Sequence, residues 1–220
     1  MEYTAAVRGR RIPMIVKLAY SAFVAVLVPY YWKTYTPWNF LFFCDIALLL
    51  TCAGLWLESP FIIGAQAVGI LLPQTLWIAD FAARLATGHH VTGITAYMFD
   101  ERIPLFVRAL SSFHGWLPLL LLWLLSRLGY DRRAFGAEAI VIAAVLIVCY
   151  VFGPVPPAPV SNPQAAVNVN YVYGFSDESS QTWLPSGLWL GTMIAGTLVS
   201  AAATHAALKK IFPEPRRVIL

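Results

Sequence analysis

Charge is scarce in this chain. Only 12% of its 220 residues are charged, whereas 59% are hydrophobic. A soluble domain needs a largely polar surface, so this balance excludes that class and predicts an integral membrane protein. The net charge of +4 comes from basic residues grouped between apolar runs. We therefore relate it to membrane topology and to anionic lipid headgroups, and we expect no nucleic-acid partner.

Cysteine and recognisable motifs are also scarce. The three cysteines, Cys44, Cys52 and Cys149, all lie in apolar windows, so we expect no disulfide framework. The sequence contains no phosphate-binding or dinucleotide-binding loop and no convincing metal-ligand spacing, so we expect no cofactor and no metal. No internal repeat is evident, which argues against the common plan of secondary transporters.

Apolar windows of bilayer length dominate what is present. A membrane-spanning helix needs about 20 apolar residues. Six such windows predict an all-α, polytopic protein in which residues 1–220 form a single six-helix transmembrane domain. The predicted spans are residues 13–32, 37–57, 60–82, 103–126, 134–152 and 183–207.

The basic residues predict the orientation of the spans. Lys and Arg beside short connections are retained on the cytoplasmic side. The basic residues form three groups along the chain, and with six spans all three groups fall on one side of the membrane. Both termini are therefore predicted to be cytoplasmic. We expect a multi-pass protein of a bacterial plasma (inner) membrane. These groups are Arg8, Arg10, Arg11 and Lys17; Arg127, Arg132 and Arg133; and Lys209, Lys210, Arg216 and Arg217.

Two long connections, residues 84–103 and 153–182, are then external. The second opens with a Pro-rich stretch and continues as VNVNYVYGF, residues 167–175, whose apolar and polar alternation is typical of a short strand. Because long structureless loops in small bundles are usually functional, we expect segment 153–182 to be a lid or to dock a protein partner. Aromatic residues at span ends, Tyr30 and Tyr31 among them, predict an interfacial belt.

Polar side chains inside the spans are the candidate functional groups. They are costly there and usually face the bundle interior. Helical spacing gathers those of span three along one stripe and those of span four along another, while depth along the helices places Cys44 and His114 both in the outer half. The candidates are Asn39, Cys44 and Asp45 in span two; Gln74, Trp77 and Asp80 in span three; and Arg108, Ser111 and His114 in span four.

A thiol, an imidazole, a carboxylate and an amide at similar depth are the groups that acyl transfer needs. In this interpretation Cys44 is the nucleophile and His114 its base, Asp45 or Asp80 orients the base or balances charge, and Arg108 holds a phosphate or glycerol headgroup. An amide of span two or three donates to the oxyanion. A structural alternative stays open, in which a carboxylate pairs with the arginine and the polar groups only hold helices together.

Four short motifs carry a resemblance to a known family. CDIA at 44–47, LLPQTL at 71–76, SSFHGWLPLLLLWLLSRLGYDRRA at 111–134 and NVNYVYG at 168–174 resemble the YwaF-like group of bacterial multi-span membrane proteins, over roughly residues 39–200. A related vertebrate transmembrane protein is linked to lipid acyltransferase activity through a Cys and a His.

The resemblance places that Cys on Cys44 and that His on His114, and it adds Asn170 and Tyr171 of the loop as substrate-binding residues. It implies a lipid acyltransferase or lipid-processing enzyme with membrane lipids as partners. The alternative function is a non-catalytic membrane subunit or assembly factor that docks partners through residues 153–182.

Overall fold

The structure, a computed structural model, describes residues 12–215. This part of the chain is all-helical, as predicted, and it contains no β-strand. The segments α4 (Leu105–Ser111) and α5 (Phe113–Leu128) form one helix that is broken at Ser112. The helices are α1 (Met14–Tyr35), α2 (Phe43–Leu57), α3 (Pro60–Thr87), α4 (Leu105–Ser111), α5 (Phe113–Leu128), α6 (Ala134–Phe152) and α7 (Ser186–Ile211).

Five of the described helices are long and apolar enough to cross a membrane when α4 and α5 are counted together. The exception is α2, which has only 15 residues because a 3₁₀ turn, Pro37–Leu41, takes up the start of the predicted window 37–57. The remaining predicted spans match helices, although α3 runs on to Thr87. The chain is thus a helical protein of multi-pass membrane type, while six spans and cytoplasmic termini stay predictions.

Helix α3 is the centre of the bundle, since α2, α5, α6 and α7 all pack against it. Small residues make this close packing possible. A Cβ atom on Gly64 would lie 3.1 Å from the ring of Tyr130 and 3.1 Å from the Cβ of Ala134. Farther along α3, Gly69 leaves the space that the Glu138 side chain of α6 occupies.

The bundle has two different ends. At one end, which we call the terminal end, the Ile12 N–H donates to Glu58 and the Tyr130 N–H donates to the Pro213 carbonyl. Lys17 also reaches Glu58 there, with 2.7 Å between Nζ and Oε1. The opposite end, the loop end, carries residues 36–42, 88–104 and 153–185.

The strand predicted within residues 167–175 is wrong. The chain instead forms a 3₁₀ turn, Val169–Tyr171, directly after Asn168. Asn168, Asn170 and Tyr171 all have positive φ. Asparagine tolerates the left-handed region because its side chain forms local hydrogen bonds there. The alternating pattern arises because the asparagine side chains point inward to bind backbone groups, and not because successive residues face opposite sides of a sheet.

Candidate functional site

Cys44 and Asp45 lie in the first turn of α2, at the loop end of the bundle. The Cys44 thiol donates to Asp45 Oδ2 at 3.7 Å, and the Asn39 amide donates to the same oxygen at 3.2 Å. The second oxygen, Oδ1, is buried and has no hydrogen-bond partner in the described part of the chain. Asp45 is therefore a buried carboxyl with a thiol on one oxygen and an open lone pair on the other.

His114 owes its position to the break between α4 and α5. At this break the Gly115 N–H donates to the Ser112 carbonyl, three residues back, so the Ser111 carbonyl is free of its usual helical partner. The His114 ring takes its place, with 2.7 Å between Nδ1 and the Ser111 oxygen. Because a carbonyl can only accept, Nδ1 carries the proton and Nε2 is the nitrogen able to accept one.

Two tyrosines connect these groups. The Tyr31 hydroxyl lies 2.9 Å from Ser111 Oγ and within electrostatic range of Asp45. Tyr97, in the connection between α3 and α4, accepts a hydrogen bond of 3.1 Å from Trp77 Nε1 and is an electrostatic neighbour of Cys44. Burial raises the pKa of Tyr97 above its usual range, so it is a neutral hydroxyl.

These six residues, Tyr31, Cys44, Asp45, Tyr97, Ser111 and His114, form what we call the loop-end cluster. It contains four of the predicted site residues, Cys44, Asp45, Ser111 and His114, together with two tyrosines that were not predicted. Trp77 is buried and stacks on His114 with ring centroids 5.4 Å apart. Gln74 is also buried, on the same helix, but it forms no hydrogen bond with the cluster among the described residues.

Within residues 12–215 no hydrogen bond joins the predicted pair of Cys44 and His114. The acceptor beside the thiol is Asp45. The physical reason is that Nδ1 of His114 is held by the Ser111 carbonyl while the ring stacks between Trp77 and Phe113. The proton acceptor nearest the thiol is thus a carboxyl and not an imidazole.

Asp80 serves a different purpose from the predicted orientation of the base. Its Oδ1 accepts the backbone N–H groups of residues 91–93 at 2.7, 2.6 and 3.1 Å. Its Oδ2 accepts both the N–H and the hydroxyl of Thr95, at 3.1 and 2.5 Å, and lies 3.1 Å from His90 Nδ1. With both oxygens engaged, Asp80 anchors the connection between α3 and α4.

Arg108 pairs with neither carboxylate of the structural alternative. One guanidinium nitrogen donates to the Met98 carbonyl at 3.3 Å, while Nε is buried without a partner among the described residues. Its electrostatic neighbour in the connection is Asp100, whose pKa falls to about 2 chiefly through hydrogen bonds from Arg102. Arg108 therefore keeps donor capacity for a ligand.

Asn170 ties the loop 153–185 to the start of α2. Its Oδ1 accepts the Phe43 N–H at 3.1 Å, and its Nδ2 donates to the Leu41 carbonyl at 2.7 Å. These bonds satisfy one of the free N–H groups at the first turn of the helix that carries Cys44. The predicted substrate-binding Asn170 is thus a cap for that helix.

Tyr171, the residue after Asn170, is 41% exposed, and its carbonyl accepts the Trp189 indole N–H at 2.8 Å. Desolvation raises the pKa of its hydroxyl, and the smaller contributions come from Asp177 and Cys44. Tyr171 is therefore an electrostatic neighbour of the thiol, although no hydrogen bond joins the two residues among those described.

Substitution of Asn170 by alanine is expected to destabilise the protein. The change removes the helix cap, worth about 1 kcal/mol, and puts alanine at φ 58°, which costs on the order of 1 kcal/mol more. Thermal unfolding in detergent would measure the loss. Asn170→Gly isolates the cap because glycine adopts this φ freely, so it should lie between wild type and Asn170→Ala; equal stability of all three proteins would contradict the role.

Sequence reasoning missed Tyr31, Tyr97 and Glu138. Tyr31 was expected in the interfacial belt, yet it is buried against Ser111. Tyr97 carried no signal, because only the folded connection brings it over Trp77. Glu138 did carry one, since it is an acidic residue inside a predicted span, and it lies buried at the contact between α3 and α6.

The described residues offer no group of three His, Cys, Asp or Glu side chains arranged to hold a metal ion. No family model, curated protein or solved structure matches this chain. Its class is therefore defined by its own architecture, which is that of a helical protein with several helices able to cross a membrane. The resemblance to the YwaF-like group stays a prediction.

Proposed function

We propose that the protein is a membrane enzyme that transfers an acyl group from a lipid ester, with Cys44 as the nucleophile. The observation that carries this proposal is the contact between the Cys44 thiol and the buried Asp45 carboxyl in the first turn of α2. The thiol is half-buried at the loop end, and its electrostatic neighbours include Tyr97 and Tyr171, one from each long connection. The resemblance of the Cys44 and His114 motifs agrees with it.

The first half of the reaction forms a thioester. Asp45 takes the proton of the Cys44 thiol, and the sulfur attacks the ester carbonyl. The bond between carbonyl carbon and ester oxygen then breaks. The proton held by Asp45 passes to the leaving oxygen, so that the net change is a thioester on the protein and a free lipid hydroxyl.

The second half returns the free thiol. His114 presents Nε2 as a base, because its Nδ1 is committed to the Ser111 carbonyl. It takes the proton of an acceptor hydroxyl, from a second lipid or from water, while that oxygen attacks the thioester. The bond between carbon and sulfur breaks, and the same proton returns to the sulfur. Arg108, with its unpartnered Nε, contacts the headgroup.

Intact-protein mass spectrometry tests the proposal directly. Purified full-length protein incubated with mixed phospholipids should gain an acyl adduct that hydroxylamine removes and that maps to Cys44. Cys52→Ala should gain the same adduct, since Cys52 contacts Ser21 and lies outside the loop-end cluster. An adduct that survives in Cys44→Ala, or none in any protein, would contradict the nucleophile assignment.

Docking of a protein partner is the second candidate function. The loop 153–185 exposes large apolar side chains, among them Val160, Phe175 and Trp183, while the Asn168 side chain binds backbone carbonyls inside the loop. A missing adduct together with a stoichiometric copurifying protein would favour this function. An adduct at Cys44 would favour the enzyme.

A further inference from the structure

A second buried acidic site lies away from the loop-end cluster. Glu138, in the second turn of α6, is only 3% exposed, and its side chain fills the space left by Gly69 of α3. Oε2 is buried and accepts no hydrogen bond from residues 12–215. The proposed acyl transfer makes no use of this carboxyl.

The helices packed against α6 bring no cation to Glu138. Between Pro60 and Ala79, α3 contains no acidic or basic residue and no histidine, and the same is true of α7 between Ser186 and Thr204. An ionised carboxylate without a partner is strongly unfavourable in an apolar interior, so a carboxyl in this place holds a proton. Because these helices place no cation beside Glu138, the carboxylate is neutralised by binding a proton.

The titratable and charged groups next along the contact lie toward the terminal end, and none of them forms a hydrogen bond with Glu138 among the described residues. The Tyr130 hydroxyl forms a hydrogen bond of 2.5 Å with His205 Nδ1, and Lys209 and Arg132 are electrostatic neighbours of His205. Arg132 itself is paired with Glu214 at 2.9 Å. Burial, with a contribution from Asp131, raises the pKa of Tyr130 to about 12, so its hydroxyl stays neutral at physiological pH.

The Tyr130–His205 pair lies about one helical turn from Glu138. The Tyr130 ring packs against Gly64, beside Ala134, and Ala134 and Glu138 are four residues apart on one face of α6. Four residues correspond to roughly 6 Å along a helix. A hydroxyl and an imidazole placed one turn away can carry a proton between the solvent at the terminal end and the buried carboxyl when a water molecule bridges the remaining gap.

We propose that Glu138 is a reversible proton-binding site, loaded from the terminal end of the bundle through Tyr130 and His205. The site goes beyond acyl transfer, since it lies on other helices and requires no thioester. Uptake of the proton removes a charge from the contact between α3 and α6, and release restores that charge. The occupancy of the site therefore follows the pH at one face of the membrane.

Infrared spectroscopy of the full-length protein in lipid nanodiscs tests the proposal. A band of a protonated carboxyl group should disappear as the pH is raised and return when it is lowered, while the helical content stays unchanged. Glu138→Gln should lack this band and should still form the Cys44 adduct, whereas Asp45→Asn should keep the band. If the wild-type protein forms no adduct at Cys44, that result contradicts only the acyl-transfer proposal and not the proton-binding site.

Two further variants keep the test decisive. Tyr130→Phe and His205→Ala should slow hydrogen–deuterium exchange of the Glu138 carboxyl without abolishing its titration. Exchange as fast as in wild type would overturn the relay. A Glu138 band that never changes while the protein stays folded, or a carboxylate band at every pH, would overturn the proton-binding site.

Discussion

Replacement of Cys44 by alanine is expected to abolish acyl transfer. Removal of the sulfur eliminates the covalent step, and removal of a nucleophile in other enzymes lowers turnover by roughly a thousandfold or more. The measurement is the release of labelled acyl product from a mixture of labelled glycerolipids by protein in detergent micelles. The fold should persist, because the thiol is only half-buried and, in the described part of the chain, its side-chain hydrogen bond is to the adjacent Asp45.

Two variants decide what a loss of activity in Cys44→Ala means. Cys52→Ala makes the same substitution farther along α2, where the sulfur lies 3.6 Å from Ser21 Oγ. It should leave turnover unchanged. Asp45→Asn keeps the size of the side chain but removes the proton acceptor, so it should slow thioester formation with little effect on thermal stability. If both cysteine variants turn over at the wild-type rate, Cys44 is not the nucleophile.

Much of the helical fold could be predicted from apolar windows. Helix α6 occupies the predicted residues 134–152, because the chain there is apolar apart from Glu138 and a glycine follows it. The start of α2 could not be predicted, since Pro37–Leu41 is apolar enough to extend the window although it forms a 3₁₀ turn. The extension of α3 to Thr87 follows from Gly88, which ends the helix in the left-handed region at φ 77°.

The candidate site was predictable only where its residues are close in sequence. The neighbours Cys44 and Asp45, and the spacing of Ser111 and His114, could be identified from local pattern alone. The Tyr31–Ser111 hydrogen bond joins residues 80 positions apart, and the bond between Phe43 and Asn170 joins residues 127 apart. Such contacts depend on how the helices and loops pack, which local periodicity does not encode.

Asp80 illustrates the same limit. Its place on the polar stripe of α3 suggested a group facing the bundle interior, and it is fully buried as expected. Its partners are nevertheless backbone groups of the connection that follows α3. Gly88 and Gly93, with φ of 77° and 85°, turn the chain back over the helix there. A carboxylate that accepts several backbone N–H groups is a strong local anchor.

Replacement of Asp80 by alanine is expected to release residues 88–104 from the bundle. The change leaves the N–H groups of residues 91–93 and both donors of Thr95 without their acceptor, at a cost on the order of 3–5 kcal/mol. Hydrogen–deuterium exchange followed by mass spectrometry should show faster exchange in residues 91–95. Asp80→Asn, which keeps one acceptor oxygen, should show a smaller change.

Asp100→Ala is the matched control for this prediction. Asp100 belongs to the same connection, but among residues 12–215 its carboxylate accepts hydrogen bonds only from Arg102, so residues 91–95 should exchange as slowly as in wild type. Slow exchange in Asp80→Ala as well would show that the carboxylate does not hold the connection. Because Tyr97 belongs to the loop-end cluster and lies only two residues beyond Thr95, release of this segment should also expose the cluster to water. Asp80→Ala should therefore favour hydrolysis of the acyl group over its transfer to a second lipid.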